Sequence, residues 1–195
     1  MQHLLAQHLT SKLLHIFDTT GKKQTIDSLL RSNPVTRKPP LSNEIGRLAQ
    51  GIRDVKGNDT LGSVLITDAP KNKKVAYANM VCDHRPLKKE KDRVRLTLGG
   101  YVLDYFGDTS SPAASLLEAK LLINSVISDA HRGARFMSLD IKYHFLQSIL
   151  DDPEYLRIHS KYFFTDIRLK YNIDAIIVPD RYVYCKIKRG IYGLK

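Results

Sequence analysis

Two charged groupings in this sequence have the types and spacing to do chemistry. In "RFMSLDIKYHFL" a carboxylate, Asp140, falls inside an apolar run. Burying a lone ionised carboxylate costs several kcal/mol even after relaxation, so this one must reach water or have a task. Side chains alternate faces along a strand: Phe136, Ser138 and Asp140 share one face, and Met137, Leu139 and Ile141 the other. Asp140 therefore belongs at the strand's end, on the more polar side. A carboxylate where a strand runs into a helix suits Mg²⁺, which takes oxygen ligands, keeps waters and is often shared with phosphates. It suits capping of the next helix equally well. In "RVRLTLGG", residues 93–100, Arg93 and Arg95 project from one face, opposite Val94, Leu96 and Leu98. Guanidiniums fixed two residues apart on a strand can fork phosphate oxygens. They end a run in which Arg85, Lys88, Lys89, Lys91, Arg93 and Arg95 outnumber Glu90 and Asp92. Such a mixed run is also the ordinary make-up of a solvated turn.

Other chemistries find little support. The seven histidines are scattered, none paired with a second across one helical turn, and no Ser-His-Asp or Cys-His grouping stands out. Asp151 and Asp152 precede a proline and read as turn formers. "GNDTLG" and "LGGY" are too sparse in glycine for a phosphate loop. Cys82 and Cys185 form neither a disulfide framework nor a metal spacing, and their β-like apolar surroundings suit free buried thiols in a reducing compartment. No run approaches the ~18 apolar residues of a membrane span, and the amphipathic N-terminus lacks the layout of a signal peptide. A cytoplasmic or nuclear protein is expected. Across 195 residues the net charge is +11, and a surplus of that size points to a polyanion, nucleic acid first.

The elements that must position these groups follow from periodicity. Residues 4–17 have helical spacing, and 25–32 read as a short helix. "NPVTRKPPLSN", with three prolines, reads as an extended linker, followed by a helix capped by Ser42 or Asn43. Strands are expected from Gly62, across "VAYANMVCDHRP" and across 93–100, the last two pairing as a hairpin around the basic tip. Ser111-Pro112 should open an apolar helix carrying Leu116, Leu117, Leu121, Ile123 and Val126, buried on most of its surface and stopped by Gly133. The Asp140 strand should lead into a helix carrying Phe145, Leu146 and Ile149 that ends at Asp152-Pro153. "AIIVPDRYVYCKIKRG" reads as a hairpin turned at 179–181, with Val183, Cys185 and Ile187 inward and Tyr184 and Lys186 outward.

Taken in order, "RVRLTLGG", "DYFGDTSSPAASLLEAKLLINSVIS", "RFMSLDIKYHFL" and "KIKRGIYGLK" resemble the reverse transcriptase domain of copia-type LTR retrotransposons, across about residues 75–195. The resemblance implies an α+β fold: fingers plus partial palm of a right-hand polymerase, an incomplete antiparallel sheet with packed helices. Residues 61–195 would form it, with 1–60 a helical or linker segment upstream. Asp140 would be the first catalytic carboxylate and a ligand of Mg²⁺, with the Ile141 carbonyl as a second ligand. Arg93 and Arg95 would hold the triphosphate. Ile141 would lie at the nucleotide, and Phe145 would pack on the incoming sugar. Tyr192, Gly193, Leu194 and Lys195 would begin the motif that supports template and nucleotide. Partners would be an RNA or DNA template-primer and a deoxynucleoside triphosphate, with no membrane.

The family's later strand turn with two adjacent aspartates does not occur in these 195 residues, and Asp140 alone cannot hold two Mg²⁺. The resemblance therefore implies a reverse transcriptase fragment inactive by itself. The alternative is a non-catalytic, basic nucleic-acid-binding remnant of a transposable element.

Overall fold

The computed structural model describes residues 14–16, 24–88, 90–104, 115–137, 139 and 144–194. The chain divides into a larger unit, residues 1–104 with 145–195, and a smaller one, residues 105–144. The fold is mixed α+β. Its strands are β1 (Leu14–His15), β2 (Leu61–Val64), β3 (Val75–His84), β4 (Asp92–Leu98), β5 (Ile149–His159) and β6 (Tyr182–Arg189). Its helices are α1 (Ile26–Ser32), α2 (Pro34–Leu48), α3 (Leu116–Ser128) and α4 (Thr165–Tyr171), of which α3 belongs to the smaller unit.

The six strands form one sheet in the order β1-β3-β5-β6-β2, with β4 paired to β3. Every pair is antiparallel except β3 with β5. Strict alternation sends one residue set to a single face: Ala76, Met80 and Cys82; Val94, Leu96 and Leu98; Leu156 and Ile158; Val183, Cys185 and Ile187. All are buried. Helix residues cover this face. Ile45 and Ala49 line the same small cavity as Ile158 and Cys185, and Leu41, Leu48 and Ile167 are fully buried.

Several sequence expectations hold. The β3–β4 hairpin forms, β6 turns Val183, Cys185 and Ile187 inward with Tyr184 and Lys186 outward, and both cysteines are free and buried. Others need correction. The proline-rich 33–43 segment is not an extended linker but the start of α2. Asn33 caps it, accepting from the Thr36 N–H at 3.2 Å, and Pro34 occupies the first turn, where a missing N–H costs nothing. Pro39 and Pro40 lie inside the helix, where a proline costs about 3 kcal/mol. Burial of Leu41, Ile45 and Leu48, each contributing about 1.5–3 kcal/mol, offsets that cost. Ser42 and Asn43 are interior residues of α2 rather than caps.

Residues 14–15 pair antiparallel with the end of β3 as a strand instead of continuing a helix. The expected helix after Phe145 is only a turn, His144–Gln147; from Ile149 the chain is β5. A register shift between Ile149 and Glu154 absorbs Pro153, since proline is tolerated in sheets at bulges. The Lys73 ammonium pins the bulge, donating to the Pro153 carbonyl at 2.8 Å and pairing with Asp152 at 2.6 Å. The first arm of the expected hairpin, residues 175–178, forms no strand: the 3₁₀ turn Ile173–Ala175 ends on its first residue, and β6 pairs with β5 and β2 instead.

In the smaller unit α3 opens at Ser115, whose hydroxyl accepts from the Glu118 N–H at 3.1 Å while the Glu118 carboxylate accepts from the Ser115 N–H at 2.6 Å. The proposed start at Ser111-Pro112 lies outside the described residues. Gly133 ends the following turn with φ of 86°, as expected. The helix is not buried: Leu116, Leu117 and Ile127 are among its strongly exposed residues. Among the described residues its unit has no second helix or strand to cover the stripe. Nor do residues 134–137 and 139 form the expected strand, because a strand needs a partner's N–H and C=O groups.

Candidate functional site

The face of the sheet away from the helices carries the alternate residues of the same strands. On β4 these are Arg93, Arg95 and Thr97, all half-buried. Across the hairpin, Asp83 lies opposite Arg93 and Val81 opposite Arg95. Arg85 follows Asp83 two residues on and carries the same face past the end of β3. Arg93 and Arg95 thus share this face with Asp83, and Arg85 beside them pairs with Glu90 at 3.5 Å.

Asp83 is 2% exposed, and its Oδ2 lies 3.8 Å from Arg95 Nε, a pairing by charge but too long for a hydrogen bond. The Nε atoms of Arg85, Arg93 and Arg95 are buried and make no hydrogen bond. Burial first, and then the charges of Arg93 and Arg95, lower the proton affinity of the Arg85 guanidinium. That is the mark of cations held close in a desolvated place. Arg85 is tied at the tip, where its Nη2 donates to the Glu90 carbonyl at 3.2 Å. Half-buried guanidiniums on one strand face suit an anion with several oxygens, such as a phosphate.

The edge of β4 is held by α2. Glu44, 2% exposed, accepts from the Leu96 N–H at 3.3 Å and pairs with Arg47. Burial raises the Glu44 carboxyl above its ordinary value despite the opposing charges of Arg47 and Arg93. Glu44 thus covers an otherwise open strand edge and adds negative charge behind Arg93.

The end of the chain closes on the same strand. The Leu98 N–H donates to the Tyr192 carbonyl at 2.7 Å, and Arg95 Cζ stands 6.0 Å from the centre of the Tyr192 ring, within cation–π range. Gly193 has φ of 87°, and a Cβ there would strike the Leu98 carbonyl. Both conditions call for glycine. Leu194 closes the turn by donating to the Ile191 carbonyl at 3.1 Å. The structure thus brings Arg93 and Arg95 to one place with the Tyr192–Leu194 turn.

Asp140, Ile141 and Lys195 lie outside the described residues, as does the side chain of Phe145. Among the described residues there is no group of three or more His, Cys, Asp or Glu that could hold a metal ion. Burial pushes the Cys82 thiol up to about 11 and the Cys185 thiol up to about 12. Neither supplies a thiolate nucleophile at neutral pH. No helix of the described residues is long and apolar enough to cross a membrane.

Sequence reading missed Asp83 and assigned Arg85 only to a charged turn. The alternation Tyr77, Asn79, Val81, Asp83, Arg85 was the available signal: it puts the last two on the outward face. No protein-family model matches this chain, and no curated protein or solved structure matches it.

Proposed function

We propose that this chain is the fingers and first part of the palm of a copia-type retrotransposon reverse transcriptase, an RNA-directed DNA polymerase. The observation that carries the reading is the meeting of Arg95, on the strand it shares with Arg93, with the Tyr192–Gly193 turn, two blocks far apart in sequence that the resemblance assigns to one nucleotide site. Nucleotidyl transfer builds negative charge on the phosphates, and preorganised guanidiniums neutralise it without reorganising. Arg93, Arg95 and Arg85 would hold the triphosphate, while Tyr192 and Gly193 brace β4 at Leu98 and so fix the two arginines. Asp140 and the Ile141 carbonyl would hold Mg²⁺, as the resemblance implies, and the ion would supply positive charge at the phosphates. Phe145 would pack on the sugar and Lys195 would extend the supporting motif.

The test is binding of a deoxynucleoside triphosphate to the purified chain, read by calorimetry. Arg93→Ala and Arg95→Ala should each weaken it about ten- to a hundredfold, the worth of a charge-assisted hydrogen bond. Unchanged affinity in both variants overturns the assignment. Primer extension on an RNA template by the 195-residue chain alone should give no product above background.

The net charge of +11 favours a second reading, a non-catalytic nucleic-acid-binding remnant. That protein would bind template-primer with steep salt dependence and show no affinity for the triphosphate.

A further inference from the structure

The outward face continues beyond the guanidinium cluster, and its composition changes there. Register places Tyr77 of β3 beside Arg157 of β5, and Arg157 beside Tyr184 of β6. The three side chains form one row across neighbouring strands, about 10 Å wide at the usual strand spacing. The adjoining positions on this face hold His159 opposite Tyr182 on one side and Tyr155 opposite Lys186 on the other. Tyr155 is buried and fills the floor. The rest stand exposed or half-buried.

The rings are held in place before any partner arrives. Tyr77 is 40% exposed, yet its hydroxyl meets that of Tyr101 at 2.8 Å and the two rings meet edge to face at 5.9 Å. Beneath it lies Gly99, where a Cβ would come within 2.6 Å of the Tyr77 ring; any larger residue would lift the ring off the sheet. Arg157 Cζ stands 4.9 Å over the Tyr182 ring, and His159 meets that ring at 5.2 Å. The guanidinium is thus held beside the Tyr182 ring while Arg157 stays exposed. Arg157 and Lys186 have no carboxylate partner among the described residues, and every charged side chain in these rows is a cation.

We infer that this row is a stacking surface for unpaired nucleotides, with bases on Tyr77, Arg157 and Tyr184 and backbone phosphates on Arg157 and Lys186. Bases stack on tyrosine rings and guanidinium planes alike. Two cations without carboxylates match a phosphate backbone in charge. A duplex hides its base faces, so it offers this surface only its phosphates. The assignment does not rest on the polymerase reading: it needs no triphosphate and no metal, and it uses none of Arg85, Arg93 or Arg95.

The test titrates the full chain into fluorescein-labelled oligothymidylate and into the duplex of that strand with its complement, read by anisotropy. The single strand should bind about tenfold tighter than the duplex. Tyr77→Leu and Tyr184→Leu, which keep apolar bulk but remove the ring, should each weaken single-strand binding about tenfold, while the Tyr→Phe variants bind as the parent does. Arg157→Ala and Lys186→Ala should each lower the salt slope of single-strand binding by about 0.7. Should a Leu variant fail to fold, the parent serves: it has no tryptophan, so oligothymidylate should quench its tyrosine fluorescence directly. Equal affinity for duplex and single strand, folded Leu variants that bind like the parent, or unquenched tyrosine fluorescence would each overturn the inference. Arg95→Ala separates the two assignments, because it should weaken triphosphate binding about ten- to a hundredfold and leave oligothymidylate binding unchanged.

Discussion

One face of the sheet holds Val94, Leu96 and Leu98 of β4 with Leu156, Ile158, Val183, Cys185 and Ile187 of β5 and β6, all buried under α1, α2 and α4. One residue along each strand, the other face presents Arg93, Arg95, Tyr77, Arg157, Tyr184 and Lys186. The same strands and the same backbone hydrogen bonds serve both. On the helix-covered face, volume and the exclusion of water decide which residue types fit. On the open face the side chains do little for packing, so their chemistry is free to serve a partner. A cluster of cations on the open side is therefore more informative about function than any residue of the core.

The sharpest way to break this contrast is to truncate one residue on each side. Leu156→Ala, fully buried at the centre of the sheet, should cost about 2–5 kcal/mol in urea unfolding, while Arg157→Ala beside it should stay within about 0.5 kcal/mol. Similar costs for the two would mean that the faces are not divided in this way.

Next in size is Gly193→Ala. A left-handed φ and the Leu98 carbonyl both oppose a Cβ, so the variant should lose about 1–3 kcal/mol. It should also weaken triphosphate binding, because the turn that braces β4 is displaced. Loss of stability with unchanged binding would separate the turn from the site.

Glu44 joins the two faces, since α2 uses it to hold the edge of the strand that carries Arg93. Glu44→Ala leaves the buried Leu96 N–H without its partner and should cost about 1–3 kcal/mol; Glu44→Gln keeps an acceptor and should cost less. Its carboxyl is raised in the folded state, so the unfolded chain releases the proton first. This contribution to stability is full below the ordinary glutamate value and falls as pH rises toward the raised one. Denaturation midpoints across that window should decline in the parent and flatten in Glu44→Gln.

The smallest expected effect lies at the rim. Asp27 takes a hydrogen bond from Lys161 at 2.8 Å and one from Tyr162 at 3.1 Å. Burial alone would raise its carboxyl, but these bonds and the charges of Lys161 and Arg31 hold it below the ordinary value. The resulting stability is present above the unfolded aspartate value and lost as pH falls through the lowered one. With both partners of the ion pair more than a third exposed, Asp27→Asn should cost no more than about 1 kcal/mol. Thermal melts at neutral and acidic pH check both statements.

Much of the fold was legible locally. The β3–β4 hairpin and the in-out pattern of β6 follow from period-two alternation that no competing signal disturbs. Residues 33–43 and 149–159 misled for one reason: proline was read as a breaker. Tertiary burial of Leu41, Ile45 and Leu48 carries the helix through two prolines, and a register shift lets β5 pass Pro153. The stripe on α3 misled the opposite way, because periodicity reports that a face is apolar and not whether anything covers it. Of the site, the pairing of Arg93 and Arg95 on one side of β4 could be read directly, but their partner Asp83 could not, since cross-strand register is absent from local spacing.

The sequence by itself determined a basic, mixed α+β chain with two arginines on the polar side of a strand, because charge and side-chain alternation are properties of neighbours along the chain. Only the tertiary structure decided that Arg85, Asp83 and the Tyr192–Gly193 turn meet those arginines, and that Tyr77, Arg157 and Tyr184 align in one row. Those meetings depend on which strands pair and in what register, and that is fixed by packing the far face of the sheet against its helices.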